Sequence, residues 1–136
     1  MRSKRSTYEA TRRFSVSAIM PGAESETATF YGVFFVADRA CTIKKISAAW
    51  EIVDTDAGTL DIEKLTGVQA SGAGVACLGA AMDCQAAANT VLTPALTGVG
   101  ADLILEAGNK LNLLDAGAGV TDFEGLIVTV ELEEGI

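Results

Sequence analysis

Short runs of alternating apolar and polar residues, each closed by a turn signal, recur along this chain and leave no room for a long helix. A two-residue period places one side chain set on each face of a strand. Phe14, Val16 and Ala18 alternate with Ser15, Ser17 and Ile19, and Pro21-Gly22 follows. That predicts a first strand over residues 14–20. Residues 28–37 (ATFYGVFFVA) predict a central strand, with Gly32 marking a bulge. Residues 41–53 alternate again, except at Lys44-Lys45. A bulge there brings Ile46, Ala48, Trp50 and Ile52 onto one face.

Leu60 and Ile62 open the next strand, and residues 67–74 read as a loop of small residues. Residues 75–83 predict a short strand, residues 85–89 one helical turn, and residues 90–97 an edge strand or bulge because of Pro94. Leu103, Ile104 and Leu105, the turn Glu106-Ala107-Gly108-Asn109, and residues 110–114 predict a hairpin. Leu126, Val128, Val130 and Leu132 predict a long closing strand. Eight or nine strands in 136 residues predict one all-β domain, an antiparallel β-sandwich, jelly roll or barrel.

Charge divides the chain. Residues 1–13 hold Arg2, Lys4, Arg5, Arg12 and Arg13 against Glu9, a charge of +4. The other 123 residues hold five cations and 17 acids, a charge of -12. We read residues 1–13 as a flexible basic arm and residues 14–136 as the folded domain. Five cations suit an acidic groove on a partner, and a merely solubilising tail is the plainer alternative. The acidic body opposes nucleic-acid binding by repelling phosphate. No apolar run follows the basic N-terminus, and none reaches the length of a membrane span, so neither a leader nor a membrane partner is expected.

Chemistry is sparse. The chain has no histidine, which removes Ser–His and Cys–His nucleophiles and the usual zinc sites. Cys41, Cys77 and Cys84 are odd in number and lack a CxxC spacing, so reduced thiols are expected. Lys64 and Lys110 read as solvated lysines. Asp54-Thr55-Asp56-Ala57-Gly58 opens like a calcium loop, but strand residues follow where further ligands are needed, so a turn is the better reading. A glycosidase pair would have to come from Glu63, Glu106, Asp115, Asp122 or Glu124. With eight aromatics in all, Trp50 is the main candidate to stack a sugar, and its alternating position favours the core. The glycine-rich stretches match no phosphate loop. No enzyme, cofactor or metal is expected.

The segments FYGVFFVADRACTIKKISAAWE, DAGTLDIEKLTGVQASGAG, AANTVLTPALT, LILEAGNKLNLLDAG and LIVTVELEE stand in this order over about residues 30–134. In that order they resemble the head decoration, or cement, proteins of tailed bacteriophages. The resemblance implies a jelly roll that binds the major capsid protein on the outside of the head and stabilises the shell. It also implies a homo-oligomer, a trimer in preference to a dimer, assembled in the bacterial cytoplasm and carried in the virion. The basic arm matches such proteins in kind, with Arg2, Lys4, Arg5, Arg12 and Arg13 as the capsid-binding residues. The alternative is a glycan-binding module of a fibre or tail, which requires an exposed Trp50, Tyr8 or Tyr31.

Overall fold

A computed structural model of the chain describes residues 12–23, 30–55, 57–117 and 124–135. Nine strands lie among them: β1 (Arg13–Ala23), β2 (Phe30–Val36), β3 (Cys41–Ala49), β4 (Gly58–Leu65), β5 (Val75–Ala76), β6 (Met82–Asp83), β7 (Ile104–Leu105), β8 (Lys110–Gly117) and β9 (Glu124–Glu134). One 3-10 turn, Gly100–Leu103, leads into β7. The domain is all-β.

Two antiparallel sheets form. The first runs β1-β9-β3-β7 and the second β2-β8-β4-β5, with β6 also on β4. The chain changes sheet at every step from β1 to β4, and again from β6 to β9. Apart from β4 with β5 and β6, neighbours within a sheet are therefore distant in sequence. Such pairing is held by packing rather than by tight hairpins.

The two-residue period explains the core. Leu126, Val128, Val130 and Leu132 of β9 all point inward and are buried. Ile43, Ile46 and Ala48 of β3 lie beside them. Leu60 and Ile62 of β4 and Leu111 and Leu113 of β8 complete the opposite wall. Burying one such side chain contributes about 1.5–3 kcal/mol.

The double lysine does break the ladder. Ile43 pairs with Leu132, but Lys45 pairs with Glu131, so Lys44 is the extra residue of a bulge. Both lysines then face solvent, and Ile46 returns to the core. Gly32 has φ +105°, and the β2–β8 register shifts on either side of it. That conformation suits glycine.

Several local expectations change. Pro21-Gly22 does not end the first strand; β1 reaches Ala23 through a register shift after Met20. It also begins at Arg13, inside the stretch read as an arm. β3 stops at Ala49 rather than at residue 53. Trp50 turns into the core and donates Nε1–H to the Ala86 carbonyl at 3.1 Å, while Ile52 emerges to 45% exposure. Residues 75–83 hold two separate two-residue strands. Residues 85–89 form turns, with Asn89 at φ 56°, and residues 90–97 contribute isolated bridges at Leu92 and Leu96.

The expected hairpin at residues 103–114 is not one. Its turn is present: the Asn109 amide donates to the Glu106 carbonyl at 3.0 Å, and Asn109 Oδ1 accepts from the Glu106 amide at 2.9 Å. The flanking strands, however, join different sheets. Ala37 holds this turn from below, donating to the Asn109 carbonyl and accepting from the Gly108 amide, both at 2.8 Å. The turn thus carries the chain across the sandwich.

Candidate binding surface

Arg12 and Arg13, at the end of the basic stretch, are tied to the closing strand. β1 and β9 pair so that Arg13 lies opposite Glu133, and Ser15 opposite Glu131. Arg13 Nε donates to Glu133 Oε2 at 3.1 Å, and Nη1 to Glu131 Oε1 at 2.8 Å. The bonds from Arg13 to Glu131 and then to Glu133 raise its pKa above the ordinary arginine value. Arg12 Nη1 donates to Glu134 Oε2 at 3.0 Å, and Arg39 Nη1 to the other oxygen at 2.6 Å. Arg39 also pairs with Asp38 at 3.4 Å. An open depression lies between Arg12, Arg39, Ala40, Glu134 and Gly135.

This changes the reading of the five cations. Arg12 and Arg13 are paired with the domain's own acids. Their side chains are 60% and 53% exposed, so solvent screens these pairs and each adds little to stability. Arg2, Lys4 and Arg5 lie outside the described residues.

The outer face of the first sheet is ordered in rows across β1, β9 and β3. One row is Ile19, Ile127, Ala49; the next is Ser17, Thr129, Ser47. Ser17 and Thr129 share a hydrogen bond of 3.0 Å. The third row is Ser15, Glu131, Lys45, and the fourth is Arg13, Glu133, Thr42. The face therefore grades from apolar to charged along the strands. At its apolar end Ile19 is 65% exposed and Val91 70%. Ser47, Ala48, Ala49, Val91, Ile127 and Thr129 line a shallow depression there. Exposed branched side chains gathered at one place mark contact surfaces more often than isolated ones do. Alternation in the two strands already points Ile19 and Ile127 outward; their meeting depends on the β1–β9 register.

The residues considered for catalysis are placed otherwise. Glu63 is buried and accepts hydrogen bonds from the Gly72 amide (2.7 Å), the Gly74 amide (3.2 Å) and Asn112 Nδ2 (2.8 Å). Asn112 Nδ2 also reaches Ser71 Oγ at 2.7 Å. The carboxylate thus pins the loop after β4, a role that a lone acid in an alternating strand does not announce. Lys64 is not a solvated lysine: its Nζ donates to the carbonyls of Ala101 (2.9 Å) and Ile104 (3.0 Å), linking the two sheets. Lys110 opens β8 at half-exposure. Glu106 is exposed and Glu124 half-buried. Asp122 and the Asp115 side chain lie outside the described residues, as does Asp56.

Asp54 is buried, and its amide donates to the Cys84 carbonyl at 2.9 Å. Among the described residues no group of three His, Cys, Asp or Glu side chains is placed to hold a metal. Trp50 is 2% exposed, so it gives a sugar no stacking platform. The side chains of Tyr8 and Tyr31 lie outside the described residues. Cys41, Cys77 and Cys84 are free and buried. Burial, chiefly, pushes the Cys77 thiol up to about 12, and Cys41 is raised for the same reason. Neither is poised for reaction. No helix among the described residues is long and apolar enough to cross a membrane.

No family model, curated protein or solved structure matches the chain.

Proposed function

We propose that this protein is a virion structural protein that decorates the outside of a phage head and stabilises it. The carrying observation is the strand order, β1-β9-β3-β7 facing β2-β8-β4-β5. We read this alternation of sheets as a jelly roll, the fold that the sequence resemblance implies. The graded outer face supports a surface role, because its exposed Ile19, Ile127 and Val91 gather at one end, as apolar residues at contact surfaces do. The partners under this reading are the major capsid protein and further copies of the chain. The arm is the tether, with Arg2, Lys4 and Arg5 supplying charge beyond the paired Arg12 and Arg13.

The test is co-sedimentation of heads with the full chain and with a chain lacking residues 1–11. Under this reading both proteins fold, and the truncated one binds heads at least tenfold more weakly. Equal decoration by both would remove the tether. Failure of the full chain to bind heads at all would remove the decoration reading itself.

A further inference from the structure

Four edges close the two sheets, and the described residues blunt three of them. β7 offers two residues at one end of the first sheet, and Leu92 occupies part of β3 beyond it through two backbone bonds with Ala48. β5 and β6 offer two residues each at one end of the second sheet. β2, at its other end, is broken by two register shifts and by Gly32. Short, bulged or covered edges are the usual defences against unwanted strand pairing. Before its register shift after Met20, β1 has none of them. Eight successive residues, Arg13 to Met20, pair with β9 without a register shift, and no described strand lies on the opposite side. The run from Phe14 to Met20 contains no charge and no proline. Its inward residues Phe14 and Val16 are only partly buried, while their neighbours Val130 and Leu132 on β9 are 0% exposed.

We propose that this edge pairs antiparallel with β1 of a second copy, about a two-fold axis through Val16. The sequence favours that occupant and that register. Antiparallel self-pairing sets the two Arg13 residues at opposite ends of the ladder and leaves Pro21, which lacks an N–H, outside it. Directly opposite residues must share a face, so the axis falls on a residue rather than between two. With the axis at Val16, Phe14 meets the small Ala18 on the inner face, and Ser15 meets Ser17 on the outer. Arg13 then lies opposite Ile19, the exposed isoleucine of the outer face. The methylene stem of arginine covers apolar surface while its charged end stays in water. Two four-stranded sheets become one continuous sheet, with a self-complementary interface. This gives a dimer as the unit of association, where the sequence resemblance implies a trimer. It does not depend on capsid binding.

Sedimentation velocity of the full chain over a range of concentrations tests the association, and a cysteine pair tests the register. Ser15 and Ser17 are exposed, so neither Ser15→Cys nor Ser17→Cys disturbs the core. With the axis at Val16, Ser15 lies opposite Ser17 of the second copy and farther from its own equivalent. An equimolar mixture of the two variants is therefore expected to cross-link on mild oxidation at least tenfold faster than either variant alone. A chain that stays monomeric at every concentration, or a trimer, would overturn the proposal. So would cross-linking of either variant alone as fast as that of the mixture. Because no capsid is present, failure here leaves the decoration reading to its own test.

Discussion

Replacing Glu63 by alanine should cost the domain about 2–4 kcal/mol. The carboxylate accepts from the amides of Gly72 and Gly74 and from the side chain of Asn112. Alanine leaves all three donors without this acceptor. A buried donor stripped of its partner costs about 1–3 kcal/mol. Asn112 is 1% exposed and keeps its bond to Ser71 Oγ, so one of its two N–H groups bears that cost most fully. The two glycine amides lie on a loop that water can reach once it loosens, so their share is smaller. Glu63→Gln is milder, because one oxygen remains an acceptor while the new amide nitrogen faces an N–H. We expect about half the loss for it. Urea unfolding of the two variants, read by far-UV circular dichroism, gives both numbers. Limited proteolysis should cut the alanine variant within residues 66–74 before the rest of the domain. Unfolding free energy within 0.5 kcal/mol of the parent for Glu63→Ala, on the order of surface substitutions, would refute the reasoning.

Other sites give smaller or simpler tests. Leu132→Ala, at a fully buried position between the sheets, should destabilise by about 2–5 kcal/mol in the same titration. Arg13→Ala should shift the urea midpoint only slightly, and the difference should shrink with added salt. A thiol reagent at pH 8 should label none of the three cysteines in the folded state and all three in urea. The raised thiol of Cys77 makes the folded state hold a proton that the unfolded chain releases. Stability is therefore complete below about pH 8.5, the usual thiol value, and falls as pH rises toward about 12. A Cys77→Ala variant should lose that part of the alkaline decline.

The sequence made the faces of the strands readable but not their partners. Leu126 through Leu132 alternate so cleanly that β9, the strand shared by β1 and β3, could be placed in advance. The Lys44-Lys45 bulge was legible for the same reason, since one extra residue must otherwise turn Ile46, Ala48 and Trp50 outward. The turn at Gly108-Asn109 was found, but its type of connection was not. Local turn chemistry is the same whether the next strand pairs beside the last or crosses to the other sheet. Alternation places Trp50 in the core but extends its strand too far, because the Ala86 carbonyl that receives its indole N–H is 36 residues away. The role of Lys64 is hidden for a like reason: its two carbonyl partners belong to a 3-10 turn and a two-residue strand that leave little periodic signal. The arm's charge was visible, while the pairing of Arg12 and Arg13 with Glu134, Glu131 and Glu133 required the register of the first and last strands.

The most direct measurement of head decoration is the position of this protein on purified virions, by cryo-electron microscopy of particles with and without it. Head decoration requires ordered density on the outer surface of the head, repeated at fixed points of the shell, and heads that burst more readily when the protein is missing. Density confined to a fibre or tail tip, or particles that lack the protein altogether, would contradict it.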